Sequence, residues 1–539
     1  MADARLDDRR HLVEKLALNG SGASFSDSEL ILQSYLKWGP RCTEHLLGDF
    51  AFVVRDPRNR IIFCARDRMG VKPFYYAVST EQIVYSPDIE SLLRVPGIDG
   101  SWDHPAIADY LSCLKFIDKD RTLYKGIRRL PPGHQMVVSA NAEKSERYWF
   151  PEHAPAVRFR SDSDYDTAFV DLLASAVQDR LPADLQTGAH VSGGLDSSAI
   201  ATLAARRLRE EGRSLAAFCW SPSPADHPAA DDERALIQSV CAAEGLTNSY
   251  HSIDAGDIIR VLNFDGATIP TTSTMIHEHK VQQQAEARGV RVMLSGWGGD
   301  ELISNHGQAY LSGLVRSRRY RKLLQEVRIR GWKTILTGGV IPASPAWIQS
   351  VVGQFRPDLV RGSHHDISFT HPDLNRPPHA YWNDTYAAKN IRDFQLSLLN
   401  SGHITERMES WAIHGAKRSI EYRYPLLDSR VIEFALGLPQ DQYIRGKQTR
   451  VLMRRALAGL VPACVLANRD KSDPARSKDL RSETQAALKT IGEQLAVAPW
   501  PDRSQFFDMP RLIERLTTSG SHDRGELRAL KQALQFLNF

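Results

Sequence analysis

In AHVSGGLDSSAIATLAARRL a strand, a glycine turn and a helix follow one another without a break, and this run restricts the architecture more than any other. The apolar AHV ends at Ser192, Gly193 and Gly194 let the backbone take φ > 0 and approach a ligand closely, and an Ala-rich helix begins at once. Free N–H groups and the positive end of a helix dipole then point at one spot, which makes a cradle for phosphate. Ser192, Ser197 and Ser198 add hydroxyl donors, and Asp196 is placed to hold the Mg²⁺ that accompanies pyrophosphate. The run is not the GxxxxGK[ST] phosphate loop of kinases.

A second apolar strand, VRVMLS (290–295), runs into glycines and acids in SGWGGDE. Together with QTGAHV (186–191) and LAAFCW (215–220) it alternates with long helical segments, the pattern of a doubly wound parallel sheet. Parallel strands carry both loops to one sheet edge, so Asp300 is expected near Asp196 as a second carboxylate for Mg²⁺.

The chain of 539 residues is too long for one core. Residues 1–155 read as strand-rich, with FAFVVRD (50–56), RIIFCARD (60–67), FYYAV (74–78) and IVYS (83–86), and DPRNR makes a hairpin turn between the first two. PEHAPAVRFRSDSD reads as a linker, which puts a boundary near residue 155 and a second domain over 156–539. Beyond about residue 305 amphipathic helices dominate, interrupted by a Pro- and His-rich stretch (341–380) read as loop.

Composition removes several classes of function. Basic residues number 68 against 64 acidic, a balance that predicts no nucleic-acid partner. No run has the roughly 18 apolar residues of a membrane helix, and MADARLDDRRH lacks a secretory apolar stretch, so a cytoplasmic protein without a membrane partner is expected. Six cysteines without CxxC spacing indicate neither zinc nor a disulfide framework.

SGGLDSS, SGWGGDE and EYRYPLLDSRVIEFALGLP (421–439), with SFSDSELIL, LLGDFAFVVRD and ARDRMGVKPFYY earlier, resemble the glutamine-dependent asparagine synthetase superfamily over almost the whole chain. The resemblance implies an α/β protein: an N-terminal glutaminase-like, Ntn-type αββα domain, then an ATP-pyrophosphatase domain with a helical C-terminal part that adenylates a carboxylate. In that family the glutaminase nucleophile is an N-terminal cysteine; residue 2 here is Ala, so the first domain is expected to be degenerate or truncated and not to hydrolyse glutamine. Trp297 stands where β-lactam synthetases have tyrosine and asparagine synthetases usually glutamate, and the GWGGDE form resembles lasso-peptide macrolactam synthetases.

That branch implies a precursor peptide whose N-terminal amine attacks its own adenylated Asp or Glu side chain, with a leader-binding protein and a leader peptidase as partners. An asparagine synthetase using glutamine or ammonia, a small-molecule amidotransferase and an inactive peptide-holding paralogue remain open. The resemblance further implies an adenine pocket at Val191 and Trp220, AMP contacts at Ser295 and Gly296, and Lys447 as catalytic cation, with Arg469 and Lys471 as weaker candidates. It implies Glu409 as the base for the amine, with Glu406 and His414 close in sequence, and Trp297 as a substrate-pocket residue. The basic stretch 316–333 reads as a solvated helix face or a docking surface.

Overall fold

A computed structural model describes residues 1–20, 24–79, 82–113, 116–140, 142–224, 233–263, 272–345, 348, 369–371, 374, 388–469, 478–518 and 524–537. Most of the loop expected over 341–380, and Lys471, lie outside the described residues.

The first 150 residues form strands β1 (Ala2–Leu6), β2 (Gly48–Asp56), β3 (Ile61–Arg66), β4 (Tyr75–Val78), β5 (Ile83–Ser86), β6 (Arg128–Arg129), β7 (His134–Ser139) and β8 (Glu143–Arg147), of which β2 to β5 are apolar or aromatic runs. They build one antiparallel sheet in the order β1-β2-β3-β7-β8 and a smaller one in the order β5-β4-β6. The β2–β3 turn falls where DPRNR placed it: the Asp56 carboxylate accepts from the N–H groups of Arg58 and Asn59, at 3.0 and 3.1 Å. Phe50, Phe52 and Phe63 pack on one face against Leu12, Leu30 and Ile31 of the helices Arg9–Leu16 and Asp27–Trp38. Cys42 and Cys64 are wholly buried, which pushes both thiols up to about 12 and leaves them as packing groups.

The expected linker is short and pinned: Val157 N–H donates to Gly437 O at 2.8 Å. Ser161 and Asp164 then form a capping box that starts the helix Asp162–Gln178. Beyond it β9 (Thr187–His190), β10 (Leu215–Phe218), β11 (Asn248–Ser249), β12 (Val292–Leu294) and β13 (Glu421–Arg423) form the parallel sheet β11-β10-β9-β12-β13. Strand order reverses beside β9, whose neighbours are β10 and β12, and this switch point opens a crevice at the carboxyl ends of the strands. The remaining described chain is mainly helical, and no described helix is long and apolar enough to cross a membrane.

The apolar core does not stop near residue 155. Met69, Tyr75, Ile107 and Ile127 belong to the same buried cluster as Ile200, Phe218 and Leu427. Charge ties the halves together as well. Arg5 is buried against Asp7 and Asp49 and donates to Asp179 O at 3.1 Å, while Arg180 pairs with Asp428 at 2.8 Å.

Candidate active site

The crevice is a cavity of about 540 Å³ lined by the loops after β9 and β12. At its floor Gly193 has φ +72°, and a Cβ there would lie 2.6 Å from Leu236 Cβ, so the turn requires glycine. The expectation of φ > 0 at both glycines is corrected at Gly194, which has φ −81° as the N-cap of the helix Leu195–Glu210. Ser197 Oγ accepts from Ser192 N–H at 3.1 Å and bonds Ser192 Oγ at 2.9 Å, so the serines tie the loop to itself. Val191, Ser192, Gly193, Gly194, Asp196 and Ser197 all line the cavity. Ser198 is 0% exposed and does not line the cavity.

The second loop crosses directly over the first. A Cβ on Gly296 would lie 2.9 Å from Ser197 N, and one on Gly299 would lie 2.5 Å from Asp196 Cγ, so side chains at either position would force the loops apart. Ser295, Gly296, Trp297, Asp300 and Glu301 line the cavity with Asp196. Ser304 Oγ donates to Asp196 Oδ2 at 2.9 Å, and Asp300 is ion-paired with Arg450.

Trp220 forms a further wall. Its Nε1 donates to Glu278 Oε2 at 3.0 Å, and Glu278, wholly buried, also meets His190 at 3.1 Å and the Tyr422 hydroxyl. Burial opposes ionisation of Glu278, yet His190, with the Tyr422 and Trp220 donors, holds it below the usual carboxylate range.

Besides Ser198, three expected site residues do not face this cavity, namely Lys447, Glu409 and His414. Lys447 sits exposed in the two-residue turn between β14 (Ile444–Arg445) and β15 (Gln448–Thr449). The hairpin turns the chain, and the cations it delivers to the cavity are Arg450 and Arg454, with Arg469 from farther on. Glu409 is 2% exposed and closed into a cluster with Arg66 and Arg129, each at 2.7 Å, and the Tyr75 hydroxyl at 3.3 Å. A carboxylate with its oxygens so occupied cannot take a proton from an amine in the crevice. His414 is 8% exposed inside the same helix, His403–Ala416, and burial pushes it down to about 3, so it is a neutral packing group. Glu406 lines a separate cavity of about 800 Å³ with Arg68, Lys119 and Trp149.

The face of that helix turned to the crevice carries Arg407 and Trp411, spaced i, i+4. Neither was singled out in the sequence, nor were Glu278, Glu301, Arg450 and Arg454. The i, i+4 pairing of Arg407 and Trp411 was the one available signal.

A glycine-built phosphate loop at the switch point, crossed by a second loop carrying Asp300, coincides with a family match: residues 168–537 fit the model described as asparagine synthase. The chain belongs to the asparagine synthase family. Residues 9–149 match the glutamine amidotransferase domain, so the α/β fold joins an N-terminal amidotransferase-like domain to an asparagine synthase domain with a helical C-terminal part. Among curated relatives, glutamine-hydrolyzing asparagine synthetase 3 of Bacillus subtilis is 26% identical over 87% of this chain and 74% of its own length. Asparagine synthetase 1 of the same bacterium is 24% identical over 84% of this chain and 72% of its own length. Amidase chyE of Penicillium rubens is 26% identical over 57% of this chain and 47% of its own length. As an asparagine synthase family member the chain is an ATP-dependent carbon–nitrogen ligase that forms AMP.

Proposed function

We propose that the chain is a macrolactam synthetase of the lasso-peptide type. It adenylates an Asp or Glu side chain of a precursor peptide and closes an isopeptide bond with that peptide's N-terminal amine. The observation that carries this reading is the wall of the cavity, where Trp220 and Trp297, backed by the buried Trp411, gather beside the phosphate loop. Indole surface excludes water from an acyl adenylate and suits a peptide with apolar residues around the reacting side chain, whereas free aspartate offers nothing for it to contact.

In this reading residues 1–155 are a structural amidotransferase-like domain and residues 156–539 the adenylating one. The phosphate loop from Ser192 to Ser197 receives the triphosphate, Ser295 and Gly296 meet AMP, and adenine lies by Val191 and Trp220. Mg²⁺ fits the donors present: Asp196 and Asp300 line one cavity from adjacent strand ends, and two carboxylates completed by phosphate oxygens are a usual magnesium set. The metal would neutralise charge on the departing pyrophosphate, and Arg450 would give up part of its pairing with Asp300 to it. A leader-binding protein and a leader peptidase are the expected partners, and the cytoplasm the expected compartment.

The test is mass spectrometry of candidate precursor peptides incubated with the chain, both partners and Mg·ATP. Loss of one water, matched by AMP, supports the reading. Asparagine made from aspartate with ammonium or glutamine, again with AMP, would replace it.

A further inference from the structure

Two opposite charges, both part-buried, face the cavity with one buried polar atom each left unmet, Arg407 Nε and Glu301 Oε2. Arg407 lies flat against indoles, its Cζ 3.7 Å from the Trp297 ring centre, 4.4 Å from Trp411 and 5.8 Å from Trp220. Its Nε is shut off from solvent with no hydrogen-bond partner, and among the described residues no carboxylate pairs with it. Burial pushes it down to about 10 although Tyr424, Glu301 and Glu278 pull the other way, so it is still cationic at neutral pH. Contact with indoles makes up only part of what desolvating a cation costs. On the facing loop Glu301 Oε2 is likewise buried without a partner. Its Oε1 faces His403 Nε2 at 3.6 Å, and His403 Nδ1 bonds the Ser401 hydroxyl.

We infer that Arg407 receives the substrate carboxylate that is to be adenylated, and that Glu301 receives the ammonium group that attacks it. Arg450, Arg454 and Arg469 also line the cavity, and Arg450 is held by Asp300 beside the phosphate loop, which leaves Arg407, on the tryptophan wall, for an anion of another kind. A carbon–nitrogen ligase brings together one carboxylate and one amine, and the guanidinium of Arg407 and the unmet oxygen of Glu301 match these two groups in sign and number. Trp297 thereby becomes the platform that holds the guanidinium.

The proton count follows. The ammonium gives one proton to Glu301 Oε2 and exposes its lone pair. The amine attacks the acyl carbon, the C–N bond forms, and the C–O bond to AMP breaks with its electron pair on the phosphate. The second N–H proton goes to that phosphate, and His403 is placed to relieve Glu301 of the first. The inference rests on the family's ligase chemistry, not on the acceptor being a peptide.

The experiment uses the full chain with Mg·ATP and, as carboxylates, aspartate, glutamate and peptides holding a free N-terminus with internal Asp or Glu. Arg407→Met replaces an uncompensated charge by an apolar chain, so its thermal midpoint stays level or rises. Its ATP affinity changes by less than about twofold, while carboxylate-dependent ATP–pyrophosphate exchange falls about 100-fold, the scale of losing one charge-assisted contact. Glu301→Gln keeps the exchange but loses amide formation by roughly 10²–10⁴-fold, the usual worth of a general base. Hydroxylamine, unprotonated at neutral pH, restores product formation in Glu301→Gln as the hydroxamate.

Unchanged exchange in Arg407→Met overturns the carboxylate assignment, as does a loss accompanied by a lower midpoint and weaker ATP binding. Equal losses with both nucleophiles in Glu301→Gln overturn the amine assignment. If free aspartate serves and peptides do not, the peptide reading falls while the two subsites stand.

Discussion

Replacing Glu409 separates a catalytic carboxylate from a structural one. It accepts from Arg66 and Arg129 at 2.7 Å each, and those side chains are 0% and 8% exposed, so Glu409→Ala leaves two buried guanidiniums without their counter-charge. Breaking a buried ion cluster on one side costs about 3–5 kcal/mol. At roughly 2–4 °C per kcal/mol for a unit of 150–250 residues, the thermal midpoint should drop by about 6–20 °C. Circular dichroism or dye-binding melts measure this directly. Substituting all three residues together, as Arg66→Met, Glu409→Leu and Arg129→Met, should recover most of the loss, because no charge is then left uncompensated. Burial opposes the charge of Glu409, but Arg129 and Arg66 hold it below its ordinary value of 4.5. A depressed carboxylate stabilises fully above its unfolded pKa, so the contribution persists above about pH 4.5 and disappears as the pH falls through the native value. Glu409→Gln with a wild-type midpoint and turnover reduced more than about 100-fold would refute this reasoning and reinstate the residue as a base.

Other outcomes follow from the same geometry. Arg450→Ala should lower AMP formation by about 10²–10³-fold, the scale of removing one oriented charge from a transition state, whereas Lys447→Ala should leave it near wild type in the same assay. Asp196→Asn should abolish pyrophosphate release and shift the Mg²⁺ titration to higher concentration; an unaltered titration would remove it from the metal set. Gly193→Ala should weaken ATP binding in calorimetry, since φ +72° and the 2.6 Å approach to Leu236 both resist a methyl group.

The strand–loop–helix units were legible because strong local patterns specify them: β9, β10 and β12 lie inside the three apolar runs read from the sequence, and so does each of β2 to β5, to within two residues. The strands β7, β8 and β13 were not, because β7 and β13 mix polar and apolar types, β8 is wholly polar, and all three acquire strand form by pairing with distant partners. The loop residues read from the sequence line one cavity for the same local reason. Helix residues were misassigned because direction around a helix depends on what packs on each face: Glu409 and Arg407 are two positions apart, so one turns to the first domain and the other to the cavity. Lys447 does not line the cavity because it sits in the hairpin turn, and two further residues, Gln448 and Thr449, complete the hairpin before the chain reaches the crevice at Arg450.

The Arg66–Glu409–Arg129 cluster also sets an order of events during synthesis. Glu409 follows Arg66 by 343 positions and Arg129 by 280. At about 5–20 residues per second a ribosome needs roughly 14–56 s to pass from Arg129 to Glu409. Throughout that interval the nascent first domain carries two cations destined for burial and nothing to neutralise them. It therefore has reason to stay open, or to be held by a chaperone, until the helix from the far end of the chain emerges and closes it.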